Sequence, residues 1–294
     1  MEMKVGLAGL GRMGGAIARR LGDLEVPLTV FNRSREKADA LAGPGIAVAA
    51  SPRELAQGCD IVLAIVADDA AACSLHLADE GLLAGASSGT LLVEMSTLKP
   101  ATVATLADAA RAAGIGFVEA PVMGTVGPAR AGRLVALAGG EEAEVARAGE
   151  VLRHITRHIV RTGPVGTACI AKLAANAVLL TYLQAVAEGL AFGVKGGLSL
   201  DVLLETLTES AVGTPVLAIK SEVLRGRSPP AAEIGASLAT VRKDMVSIAA
   251  VAGEAGVPMP AAAATLASLA AACSAGWSER DVAEIATYHR LLTA

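Results

Sequence analysis

The sequence predicts an α/β chain: a doubly wound parallel sheet followed by an all-α C-terminal domain. Three observations predict it. Short β-branched runs alternate with helix-like stretches through roughly the first 160 positions, the pattern of βαβ units. A glycine-rich turn joins the first run to the first helical stretch. Beyond Gly163-Pro164 convincing strands vanish and long apolar stretches continue to the end. The boundary falls there, with a dinucleotide-binding unit at 1–163 and a helical unit for substrate and dimer contacts at 164–294.

In chain order the strands are Lys4 to Ala8, Leu28 to Phe31, Ile61 to Val66, Thr90 to Met95, Gly116 to Glu119, Leu134 to Ala138 and His158 to Arg161. A shorter pairing is expected near Ile46 to Val48. Between them, Gly14 to Leu21, Pro52 to Gln57, Pro100 to Ala113 and Glu142 to Leu152 have helical apolar spacing or a proline at a helix start. Ala168 to Val194 carries only Lys172 and Glu188 as charged residues, so it lacks the wet face of an ordinary surface helix. It belongs inside a bundle or at a subunit interface, and the expected assembly is a homodimer or homotetramer.

Composition excludes several classes. The hydrophobic fraction is 53%, much of it alanine, and aromatic residues make up only 2%, a poor stacking surface for nucleic acid. A formal charge of -4 gives no general basic field, so an anion must be held locally. Cys59, Cys73, Cys169 and Cys273 have no paired spacing and read as reduced thiols. Cys169 has no local histidine to activate it as a nucleophile. His154 and His158 are four apart, but a helix end falls between them, and no metal site is expected. Val257 to Trp277 is uncharged, yet Pro258 and Pro260 favour a buried helix over a membrane span. The first residues lack a basic region followed by an apolar core, so the cytoplasm is the expected location.

"KVGLAGLGRMGGAIARRL" sets Gly9, Gly11 and Gly14 in G-x-G-x-x-G spacing between a strand and a helix, the Rossmann-type arrangement. Gly9 permits the tight turn, Gly11 lets backbone approach a pyrophosphate, and Gly14 allows close helix-strand packing. The helix start, with Leu10, Arg12 and Met13 in the turn, offers N–H groups and a partial positive charge to phosphate. An NAD-preferring site expects a carboxylate after the second strand. Here Asn32, Arg33 and Ser34 stand there instead, supplying a guanidinium and a hydroxyl for a 2′-phosphate, so NADP is favoured and NAD remains possible.

"GPVGTACIAKLAANAV" places Lys172 and Asn176 a helical turn apart, on one face. Five segments in order resemble the β-hydroxyacid dehydrogenases, the group of 3-hydroxyisobutyrate dehydrogenases and NADPH-dependent glyoxylate and succinic semialdehyde reductases. They are Gly9 to Gly14, "EMSTLKP" at 94–100, "EAPVMGTVGPARAG" at 119–132, "GPVGTACIAKLAAN" at 163–176 and "RKDM" at 242–245.

The resemblance implies that Lys172 is the catalytic acid/base and Asn176 its companion in holding substrate. Independently, an ammonium can stabilise and protonate an oxygen that gains negative charge during hydride transfer. An amine in an apolar cleft gives up its proton more readily than one in water, which suits the reverse direction. By resemblance, Val122, Met123, Gly124 and Thr125 hold a small carboxylate-bearing substrate, with backbone N–H groups forming a nest. Relatives usually have serine at Met123 and glycine at Thr125, which leaves the acid's identity open. Also by resemblance, Val66 and Ala67, Ser96 and Thr97 touch the cofactor, Lys243 closes over it, and Asp244 fixes the local helix. Relatives commonly carry Leu-Pro near Ala67. Two other readings are an imine reductase and a non-catalytic dehydrogenase-like module; Lys172 speaks against both.

Overall fold

The computed structural model describes residues 3–292. Two compact units divide the chain, Met1–Leu173 and Ala174–Ala294.

Among the described residues the first unit is built on nine strands: β1 (Val5–Ala8), β2 (Leu28–Phe31), β3 (Ile46–Val48), β4 (Ile61–Ala64), β5 (Leu91–Glu94), β6 (Gly116–Glu119), β7 (Val122–Met123), β8 (Leu134–Gly139) and β9 (Thr156–Gly163). Their order is β3-β2-β1-β4-β5-β6-β8-β7, with β9 also paired to β8. From β3 through β6 every pair is parallel, and β1, β4 and β5 are buried on both faces, which is why β1 and β4 read as apolar runs and β5 as one that a charge, Glu94, closes. Strand order reverses between β1 and β4, where open α/β sheets place ligands beyond the strand carboxyl ends.

The all-parallel expectation fails at one edge. β8 runs antiparallel to β6 and β7, and only its pairing with β9 is parallel. β6 and β7 are two pieces of one path along β8. They are interrupted at Ala120-Pro121, where Pro121 has no N–H for a ladder. A two-residue strand is too short for hydrophobic periodicity to reveal.

Helices α1 (Arg12–Asp23), α2 (Arg35–Asp39), α3 (Pro52–Gln57), α4 (Asp69–Leu77), α5 (Leu82–Gly85), α6 (Pro100–Ala112), α7 (Val126–Arg130) and α8 (Glu142–Leu152) connect the strands. Proline opens α3 and α6, where its missing N–H is one of the helix's orphan donors anyway. Two apolar clusters form the core. One holds Leu7, Ile17, Leu21, Leu63 and Val93, and the other Leu55, Val62, Leu92, Leu106 and Phe117.

Helix α9 (Thr167–Lys195) is 29 residues long, starts in the first unit and continues into the second. It is apolar and long enough to cross a membrane by length and composition, a test that the core helices of soluble proteins also pass, and half of its apolar window is buried within the protein. The second unit continues with α10 (Leu200–Thr208), α11 (Pro215–Leu224), α12 (Leu238–Glu254), α13 (Pro260–Ala272) and α14 (Ile285–Leu292), and the described residues there contain no strand. The uncharged stretch at 257–277 therefore includes α13, whose first residue is Pro260.

Candidate active site

The glycine turn follows β1. Gly9 has φ +92°, and a side chain there would bring its Cβ to 2.1 Å from the Ile65 carbonyl oxygen. At Gly14 a Cβ would lie 1.8 Å from the Gly9 oxygen. Both positions exclude a side chain because backbone is already there. Gly11 differs: nothing lies within 4 Å of where its Cβ would be. A methyl group would fill only open space beside the start of α1, whose N-cap residue Gly11 supplies no side-chain cap. Open space against an uncapped helix N-terminus fits the pyrophosphate of a dinucleotide.

Asn32, at the end of β2, ties the turn down. Its Oδ1 accepts the Leu10 N–H at 2.8 Å and its Nδ2 donates to the Ser34 carbonyl at 2.9 Å. Arg33 and Ser34 are exposed beside this anchor, and the Ser34 side chain makes no cap hydrogen bond to α2. Arg12 is exposed and Met13 half-buried against the core.

After β4, the Val66 N–H donates to Ser96 Oγ at 2.8 Å, which joins two of the loops expected to contact the cofactor. The Ser96 N–H in turn donates to Glu94 Oε1 at 2.8 Å, and Glu94 Oε2 pairs with His76 Nε2 at 2.9 Å. His76 and Glu94 are both almost wholly buried. Ala67 is exposed and Thr97 half-buried.

Lys172 is 9% exposed, and its Nζ donates to the Val122 carbonyl at 2.9 Å and contacts Met123 Sδ at 3.5 Å. The expected acid/base and two residues of the expected substrate loop are therefore together. Gly124 has φ +126°, and Thr125 is the N-cap of α7. Asn176, one turn beyond Lys172, is also buried and donates through Nδ2 to Asp244 Oδ2 at 3.0 Å. Asp244 Oδ1 lies 2.9 Å from Lys243 Nζ, so this buried aspartate bridges Asn176 and Lys243.

One neighbour escaped the sequence reading. Glu119, the last residue of β6, is 1% exposed and accepts three backbone N–H groups at the start of α9. These are Gly166 at 2.6 Å and Ala168 at 2.8 Å on Oε1, and Cys169 at 3.0 Å on Oε2. Burial raises its pKa above the ordinary carboxylate value, opposed by those three donors. Burial, with Glu119 adding to it, pushes the Cys169 thiol up to about 12, far from a nucleophile's range. Glu94, His76 and Glu119 share one signal: a charged or polar side chain closing or facing an otherwise apolar, largely buried strand. Among the described residues no cluster of His, Cys, Asp or Glu could hold a metal ion.

A doubly wound sheet with this turn at its switch point defines a dinucleotide-binding protein. The family model described as the NAD binding domain of 6-phosphogluconate dehydrogenase matches residues 4–163, and that described as NAD-binding of NADP-dependent 3-hydroxyisobutyrate dehydrogenase matches 166–289. The chain is 36% identical to a 3-hydroxyisobutyrate dehydrogenase of Pseudomonas aeruginosa, over 71% of this chain and 70% of that protein. It is 32% identical to glyoxylate/succinic semialdehyde reductase 1 of Arabidopsis thaliana, over 96% of this chain and 97% of that one. The solved structure of a 3-hydroxyisobutyrate dehydrogenase from Salmonella typhimurium shares the fold, with TM-score 0.86 and 24% identity over 97% of this chain and 99% of that one. The chain belongs to the β-hydroxyacid dehydrogenase family and is an NAD(P)-dependent oxidoreductase of the CH–OH class.

Proposed function

We propose that the protein is an NADP(H)-preferring oxidoreductase that interconverts a small 3-hydroxy acid and its aldehyde or semialdehyde, with Lys172 as general acid/base. The observation that carries this reading is the buried Lys172 ammonium held by Val122 and touching Met123 in the loop expected to take the substrate carboxylate.

When bound, the nicotinamide supplies or accepts the hydride at the reacting carbon. In reduction, Lys172 stabilises the negative charge that grows on the substrate oxygen and gives it a proton. In oxidation, the neutral amine takes the hydroxyl proton. The Val122 carbonyl orients the Lys172 amine. Asn176, held by Asp244 through one of its amide hydrogens, keeps a second hydrogen and a carbonyl for substrate, and backbone N–H groups at Gly124 and Thr125 receive the carboxylate, whereas Met123, expected to join them, is paired with Val135 in the sheet. Met123 lends the pocket a thioether in place of a hydroxyl. Gly9 to Gly14 hold the pyrophosphate, and Arg33 and Ser34 take the 2′-phosphate that distinguishes NADP. Val66, Ala67, Ser96, Thr97 and Lys243 complete the cofactor contacts. Two relatives named for hydroxyisobutyrate and for glyoxylate or succinic semialdehyde support a small carboxylate substrate. The working assembly in this reading is a homodimer or homotetramer, supported by apolar side chains such as Val178 and Phe192 exposed along α9.

Nucleotide oxidation is followed with NADPH and with NADH against glyoxylate, succinic semialdehyde, methylmalonate semialdehyde and a cyclic imine. Turnover of at least one semialdehyde or glyoxylate with NADPH preferred is expected. Turnover of the imine alone would replace this reading with that of an imine reductase, a class that shares the fold.

A further inference from the structure

Glu119 and Lys172 stand at two corners of a closed loop of contacts. From Glu119, the chain runs through Pro121 to Val122, whose carbonyl accepts the Lys172 ammonium at 2.9 Å. From Lys172, α9 runs back one turn to Cys169, whose N–H donates to Glu119 Oε2 at 3.0 Å. Both Glu119 oxygens are committed, and each of their three partners lies within six residues of Lys172. Gly139 makes room for the carboxylate, since a Cβ there would come to 2.5 Å from Glu119 Oε1. The first turn of that helix thus gives three backbone N–H groups to one acidic side chain from the strand that leads into the substrate loop, beside a hydroxyl contact between Thr162 and Thr167 at 2.8 Å.

We propose that Glu119 is a positioning residue for the reaction: by fixing the first turn of α9 against the end of β6, it sets where the Lys172 amine meets the substrate oxygen. This rests on the reading of Lys172 as the acid/base. An interior carboxylate costs desolvation, and a neutral residue could close β6 more cheaply. What the carboxylate offers is two acceptor oxygens for three converging N–H groups, whereas a glutamine has one acceptor and presents an NH2 to a donor already there. In Glu119→Gln the Cys169 N–H therefore loses its partner, the first turn relaxes, and Lys172 shifts relative to the Val122 carbonyl. A displacement of about 1 Å at a reacting group lowers rate by up to roughly a hundredfold.

The test compares wild type, Glu119→Gln, Glu119→Asp and Lys172→Met, measuring kcat, KM for both substrates and the pH dependence of kcat. Glu119→Gln is expected to lower kcat by about tenfold to a hundredfold, to move the pH limb assigned to Lys172, and to leave KM for NADPH within about twofold. Glu119→Asp, which keeps two acceptors on a shorter stem, is expected to recover part of the rate. A folded Glu119→Gln with wild-type kcat and an unmoved limb overturns the proposal. So does a loss of kcat with an unmoved limb that matches a fall in Tm and cofactor affinity. If Glu119→Gln does not fold, Glu119→Asp decides: a lowered kcat with a moved limb supports the proposal, and a wild-type limb overturns it. Lys172→Met separates the two levels. If it turns over like wild type, the acid/base reading fails and this inference with it; if it is inactive while Glu119→Gln behaves as wild type, only this inference fails.

Discussion

Gly11→Ala should separate cofactor binding from folding. Gly11 has φ -67° and ψ -165°, extended backbone that any residue adopts, and its Cβ would meet nothing within 4 Å. Replacing an N-cap glycine by alanine loses roughly 0.5–1 kcal/mol of capping preference. Reduced freedom of the unfolded chain returns about 0.4–1 kcal/mol. The net is close to zero, and for a chain of this size the cofactor-free Tm should move by less than about 2 °C. On the proposed placing of the pyrophosphate at Gly11, the new methyl group nonetheless stands in its way, so NADPH should bind at least tenfold more weakly, about 1.4 kcal/mol. Gly14→Ala is the contrast. Its Cβ would sit 1.8 Å from the Gly9 carbonyl oxygen, which is backbone and cannot rotate away. Overpacking of this kind costs about 1–3 kcal/mol, or roughly 2–10 °C in Tm, in addition to the loss of binding. Thermal unfolding without cofactor and a fluorescence titration with NADPH read the two quantities. The reasoning is refuted if Gly11→Ala binds NADPH as wild type does, or if its cofactor-free Tm falls as far as that of Gly14→Ala.

Three further predictions concern the surrounding groups. His76→Leu leaves Glu94 Oε2 buried without its hydrogen-bond partner and should cost about 1–3 kcal/mol in urea unfolding. Burial lowers the His289 pKa below its usual 6.5, with Glu188 opposing. A depressed pKa means that its stabilising contribution is present above the unfolded value and is lost as pH falls through the folded one. Tm should therefore drop between about pH 7 and pH 5 more steeply in wild type than in His289→Gln. Arg33→Ala should weaken NADPH roughly tenfold while leaving NADH within about twofold, a change in the ratio of KM values that reports loss of one charge-assisted phosphate contact.

Much of the first unit was legible because its determinants are local. β2, β3, β6, α3 and α8 begin and end where the residue pattern placed them, since β-branched runs bounded by turn residues, and Pro52 at a helix start, fix each element within a few positions. The antiparallel edge was hidden because pairing direction depends on how a chain returns after Pro121, which no periodicity encodes. At the candidate site, Lys172 and Asn176 stood out as polar residues in an alanine-rich stretch. Glu119 lies inside the "EAPVMG" segment without standing out, because its partners are backbone N–H groups some fifty residues further on. A carboxylate that caps a distant helix leaves no spacing in the sequence. Its one trace is a charge ending an apolar strand, a trace that Glu94 shares in the neighbouring register position.

The most direct measurement is single-turnover reduction of the preferred semialdehyde by Lys172→Met, with NADPH affinity measured on the same preparation. The proposed role of Lys172 as proton donor predicts a rate lower by at least about a hundredfold, with the NADPH Kd unchanged within about twofold. A variant that reduces the substrate within tenfold of the wild-type rate while binding NADPH normally would contradict the assignment of that ammonium as proton donor.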